Sequence, residues 1–204
     1  MDWYNKGANM HGLINRTIQS FTCHTYGPAR WLAVTEAAGL DFTDFEAMLL
    51  YDEDLSRRVL AALCANLDRD LPDVLEDVGT FLVSNPNVES LRRLLRFGGV
   101  NYTEFLHSLD DLPDRARLAV SDLNLPALEL REHTAGQFSL TCHPGLAGFG
   151  SVMLGVLRAM ADDYGALVVL DHHGGAYGAE VVDITVVESA WAEGRSFDLG
   201  ARLG

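Results

Sequence analysis

Basic charge is scarce in this 204-residue chain. Its 15 lysines and arginines stand against 29 aspartates and glutamates, a formal net charge of −14. A surface of that sign repels phosphate backbones, which argues against nucleic acid as a partner, although it can also offer an acidic patch to a basic one. Cysteine is nearly as scarce: Cys23, Cys64 and Cys142, none in a CxxC pair. An odd, scattered set argues against a disulfide framework and suits a reducing cytoplasm. No apolar run approaches the ~18 residues of a membrane span. Met1 to Asn9 lacks the apolar stretch of a signal peptide. No phosphate-binding loop, nucleophile elbow or HExxH helix is present, so the chain reads as a non-enzyme.

What is present is ordinary globular material, 48% hydrophobic and 22% charged, enough for one core. No Pro/Gly/Ser-rich linker divides it. The reading is a flexible extension over 1–9, one domain over 10–190 and a tail over 191–204.

Helical periodicity dominates as far as Val120. Leu13, Ile14, Ile18, Phe21 and Thr22 share a face that ends at Gly27-Pro28. Trp31, Leu32 and Val34 open a second helix that stops at Gly39. Thr43-Asp-Phe-Glu46 has the capping-box pattern and predicts a helix through Met48, Leu49 and Leu50. Asp54 is the expected cap of the next helix. Further helices are expected over Leu71–Val83, with Pro72 in the first turn, over Val88–Phe97, and along Tyr102, Phe105, Leu106 and Leu109 up to Pro113. After Pro126 the period changes to two. Leu128 and Leu130, then Phe138, Leu140 and Cys142, flank Thr134-Ala-Gly136 as a hairpin. Val152 to Tyr164 is an apolar helix, and Leu167–Leu170 and Val181–Val187 are strands joined by a Gly-rich turn. The fold class is α+β: a helical part, then a small antiparallel sheet with a helix.

Several stretches in this order resemble the haem nitric oxide/oxygen-binding (H-NOX) family. They are Met10-His-Gly-Leu-Ile-Asn15, Tyr26-Gly27, Tyr51-Asp-Glu-Asp-Leu55, Leu91–Gly99, Phe105-Leu-His-Ser-Leu-Asp-Asp-Leu112, Pro126, Gly155 and Tyr164-Gly165. The resemblance covers roughly residues 10–190 and implies an H-NOX-like fold. It also implies haem b as cofactor, nitric oxide as a sensed gas, and a signalling effector on a separate chain, such as a histidine kinase or a diguanylate cyclase. Ile14 and Pro126 match positions that line or bend haem in the family.

Three departures stand out against that family pattern. The family's proximal histidine follows a Leu-Asp-x-Leu pattern; here Leu109-Asp-Asp-Leu112 is followed by Pro113. Proline has no donor for iron and no backbone N–H, and it suits the first turn of a new helix. The family's Tyr-x-Ser-x-Arg clamp for haem carboxylates corresponds to Ser139-Leu-Thr-Cys-His143, so arginine is replaced by His143 at best. Histidine carries charge only near or below its pKa, which weakens such a clamp at neutral pH. The distal tyrosine of oxygen-binding members corresponds to Val152, which offers bound dioxygen no hydrogen bond.

Another residue could take the iron. His107 precedes Pro113 by six residues, about 240° away around a continuous helix, so it would face elsewhere unless the helix breaks. His143 could approach the pocket edge, in contact with a propionate or with solvent. The charged run Asp110, Asp111, Asp114, Arg115 and Arg117 reads as a solvated helix junction. Two functions follow: a cytoplasmic haem-based nitric oxide sensor with non-standard or weakened ligation, or a haem-free relative acting as a ligand- or partner-binding regulatory module.

Overall fold

The computed structural model describes residues 9–86 and 89–195. The class is α+β, with helices leading and an antiparallel sheet with one long helix following. The chain divides into two compact units between Val74 and Leu75.

In the first unit, strand β1 (Asn9–His11) pairs antiparallel with β2 (Leu50–Asp52). Three helices accompany them: α1 (Gly12–Tyr26), α2 (Pro28–Ala37) and α3 (Glu53–Leu67). The Nδ1 atom of His11 caps α1 by accepting from the Leu13 amide at 3.1 Å. Gly27, at φ 90°, turns the chain where other residues would be strained, and Pro28 opens α2. The cap of α3 is Asp52, whose carboxylate accepts from the Asp54 amide at 2.8 Å, so the helix starts ahead of the expected Asp54 cap.

Residues 43–49 do not form the helix that the Thr43–Glu46 pattern predicts; they turn into β2. The reason is tertiary. Phe45 is buried against Phe42, Tyr51 and Trp31, with ring centroids 5.1, 4.9 and 6.1 Å away. Its amide donates to Gln19 Oε1 at 2.9 Å, the Glu46 amide donates to the Tyr51 hydroxyl at 2.8 Å, and Trp31 Nε1 donates to the Thr43 carbonyl at 2.6 Å. The Tyr51 hydroxyl thus takes the Glu46 amide that a capping box would use. An aromatic cluster outweighs a local propensity of a few tenths of a kcal/mol per residue.

Helix α4 (Leu71–Ser84) carries the boundary into the second unit. There follow α5 (Glu89–Arg96), α6 (Tyr102–His107), α7 (Leu112–Ala119), the hairpin β3 (Leu128–Thr134) and β4 (Gln137–Cys142), α8 (Phe149–Tyr164), β5 (Leu167–Gly174) and β6 (Glu180–Glu188). The four strands form one antiparallel sheet in the order β3-β4-β6-β5. β5 and β6 run further than their apolar runs predict, because the chain reverses in a short 3-10 turn at Ala176–Gly178.

Alternation puts Phe138, Leu140, Val182 and Ile184 on the buried face of the sheet. The core also takes in Tyr102, Phe105, Leu106 and Leu109 and the apolar stripe of α8, among them Met153, Leu157 and Met160. The Tyr102 hydroxyl donates to the Leu157 carbonyl at 3.1 Å, and complete burial pushes its pKa well up. Helix α8 crosses α4 at backbone contact. A Cβ at Gly79 would overlap the Val152 carbonyl, and one at Gly155 the Glu76 carbonyl. Gly155→Ala should therefore cost about 1–3 kcal/mol in a denaturant titration, as overpacking does.

On the exposed face, Asp171 and Asp183 lie directly opposite each other on β5 and β6. His173 relieves the like-charge pair, with Nε2 3.0 Å from Asp183 Oδ2. That hydrogen bond, helped by the Gly174 carbonyl, raises the His173 pKa above its ordinary 6.5. A raised folded-state pKa gives stability that is fully present below pH 6.5 and is lost as pH rises through the folded value. His173→Gln should lower Tm slightly in acid and leave it unchanged at alkaline pH; equal shifts across the range would remove the pair as the cause.

Candidate functional site

The break between α6 and α7 builds the site. Leu109 and Leu112 are buried on either side of it, and the Leu112 amide donates to the Leu109 carbonyl at 3.0 Å. Pro113 then sits buried in the first turn of α7, where its missing N–H costs nothing. The turn is held to the sheet by Asp110, whose Oδ1 accepts from the Leu130 amide at 2.6 Å. From α7, Arg115 donates to the Ser108 carbonyl at 2.8 Å and to the Leu94 carbonyl at 3.2 Å. Burial lowers the Arg115 pKa and Asp111 partly restores it.

Pro126, also buried, forms the facing wall. The His143 amide donates to the Ala127 carbonyl at 2.9 Å, which brings the turn after β4 alongside; Gly145 packs on Pro126 there. The result is a cleft of about 360 Å³, lined among others by Asp110, Pro113, Asp114, Arg117, Pro126 and Gly145. The exposed Arg117 pairs with Asp114 at 3.0 Å.

The structure brings Pro113 and Pro126 into one cleft, and neither His107 nor His143 lines it. His107 ends α6, half exposed, with Nε2 3.5 Å from Glu132 and its ring edge-on to Phe138. His143 is exposed, 3.6 Å from Glu129. Arg131 holds the Glu129 pKa below the usual carboxylate range, with a smaller contribution from His143. Of the clamp stretch, the Ser139 side chain is bonded to His133 at 2.8 Å and Thr141 is half-buried on β4. Val152 lies half-buried on α8, packed against the core, and Ile14 lies half-buried on α1 in the first unit.

One feature was not legible in the sequence. Glu180, at the start of β6, accepts from the Gly148 amide at 3.0 Å and so fills the N-terminal end of α8. Its other oxygen lies 3.0 Å from His172. A helix N-terminus attracts carboxylates, and here the attracted one belongs to the protein. The two residues are 32 apart in sequence.

A family model described as Haem-NO-binding matches residues 11–172. The chain belongs to the haem-NO-binding family. It is an H-NOX domain, and soluble guanylate cyclases are among its relatives. It is 23% identical over 155 residues to soluble guanylate cyclase gcy-31 of Caenorhabditis elegans, a match covering 76% of this chain and 22% of that protein. The chain thus spans about a fifth of the length of that relative. Among solved structures, the Fe(II) unliganded H-NOX protein from K. algicida matches with a TM-score of 0.76 at 17% identity, covering 90% of this chain and 100% of that one. The Fe(II)NO H-NOX protein from S. oneidensis matches at 0.72 and 15%, covering 87% and 99%.

The family binds haem, and the residues that line this cleft do not fit it. Haem iron needs an axial donor aimed at its plane, but Pro113 has no donor to offer and no His, Cys, Met or Tyr lines the cleft. The one lining arginine is already paired with Asp114, and the nearby anion-attracting end of α8 is taken by Glu180. Glu180→Gln keeps one acceptor but loses the charge on the helix end. It should cost about 1 kcal/mol, as capping and dipole losses do, in a thermal or denaturant titration.

Proposed function

We propose that this chain is a regulatory H-NOX module that acts on a partner protein without a histidine–iron bond. The observation that carries the reading is Pro113, buried in the first turn of α7 directly after Leu109-Asp-Asp-Leu112, in a cleft whose lining offers iron no customary axial donor. Losing the axial donor and the arginine clamp together is what a site released from holding haem should look like. The partner is a signalling effector on another chain, such as a histidine kinase or a diguanylate cyclase. The module itself is not catalytic. A cytoplasmic location suits its three free cysteines. Burial pushes the Cys142 thiol up to about 12, which makes it a packing residue rather than a nucleophile.

The competing reading is a nitric oxide sensor in which His107 or His143 takes the iron. Either would have to leave its acidic partner, Glu132 or Glu129. The absorption spectrum of protein purified with haem supplied separates the two. No stoichiometric Soret band is expected; a band at about one haem per chain would overturn the proposal, and His107→Ala and His143→Ala would then identify the ligand by abolishing it. Pro113→His restores a donor but not the clamp, so it should take up haem weakly. A folded Pro113→His variant with no uptake would mean that the cavity itself is closed.

A further inference from the structure

Three arginines outside the chemistry of the cleft are committed to carbonyls and one buried carboxylate. Arg115, on α7, reaches the ends of two other helices: the Leu94 carbonyl in α5 and the Ser108 carbonyl and hydroxyl after α6. Arg92 and Arg96, one turn apart on α5, turn to α8. Arg92 Nε donates to Asp163 Oδ1 at 2.9 Å, and its Nη2 lies 2.7 Å from the same oxygen. Arg96 Nη1 lies 3.5 Å from Asp163 Oδ2 and 3.4 Å from its carbonyl, with the guanidinium 3.9 Å over the Tyr164 ring. Asp163 is 1% exposed.

The same residue receives the segment that follows β6. The Arg195 amide donates to the Asp163 carbonyl at 2.9 Å, and the Ala192 amide to the Gly165 carbonyl at 3.0 Å. Gly194 makes the approach possible, since a Cβ there would lie 2.7 Å from the Asp163 carbonyl. Residues 192–195 therefore rest on the last turn of α8. A chain of contacts runs from the cleft wall through α7, Arg115, α5, Arg92 and Arg96, and Asp163 to this segment.

We propose that these contacts form a relay by which displacement of α7 at the cleft loosens or tightens residues 192–195. The role given to the cleft rests on the regulatory reading above; the relay itself does not depend on haem. The physical warrant is stiffness. Partly desolvated guanidinium hydrogen bonds are directional and weaken steeply with distance, so they resist displacement of the groups they join. A shift of α5 with α7 would strain the contacts that Arg92 and Arg96 make with Asp163.

Amide hydrogen exchange of the full chain tests this. Arg115→Met should raise exchange at residues 192–195 roughly tenfold, the equivalent of losing one charged hydrogen bond, with α4 unchanged. Trp191, 63% exposed, gives a parallel fluorescence readout of the same segment. Asp163→Asn sets the largest response the segment can give. Leu140→Ala, a distant core cavity, shows what uniform loosening of the second unit looks like. If Arg115→Met fails to fold, Arg115→Lys keeps the charge but not the fork and should give a smaller rise in the same place. A rise confined to residues 94–119, or one as uniform as that of Leu140→Ala, overturns the relay. A Soret band would overturn the haem-free reading and leave this result standing.

Discussion

Helix α8 is buried along most of its length, and the amides and carbonyls at its ends are met by protein groups. Those contacts organise the second unit. Glu180 closes one end from β6, while Asp163 with the segment after β6 closes the other. The middle is set by two glycines against α4 and by the Tyr102 hydroxyl on Leu157. α6 is fixed through Tyr102 and α5 through Asp163. The position of α7 then follows from Arg115 and from the turn that Asp110 ties to β3. The cleft is the last consequence of burying one helix.

Much of this was legible in the sequence. The change of period after Pro126 marks the hairpin, and the strip of apolar residues ending at Tyr164-Gly165 marks α8, because both signals come from burial on one face. Pro113 was readable because proline's limits are intrinsic to the residue. What escaped depends on distant partners. The capping-box pattern at Thr43–Glu46 was overruled by Gln19 and Trp31, both remote in sequence, and by Tyr51, five residues beyond Glu46. The short β1–β2 pairing joins segments some forty residues apart. Arg92, Arg96 and Asp163 look like ordinary surface charges until the fold buries their contacts, and nothing in spacing reveals that Glu180 closes α8.

The relation to haem turns on several features of one kind. A buried proline offers iron no donor, the arginine that lines the cleft is paired with Asp114, and an anion-attracting helix end holds an internal carboxylate. Each is compatible with a stable fold, and together they leave the architecture of an H-NOX domain around a polar cleft. The family assignment therefore rests on the match along residues 11–172, whereas the cofactor reading rests on a few side chains within it.

Prolines 113, 126 and 144 all line the cleft. Proline has surrendered most of its backbone freedom before folding begins, so a wall built from it does not soften to greet a guest. The cleft behaves as a stiff mould rather than a closing hand. A molecule that enters must already have the complementary shape, and it pays little in protein ordering when it does. Discrimination there would be by contour, and any response would be a tilt of the whole short helix.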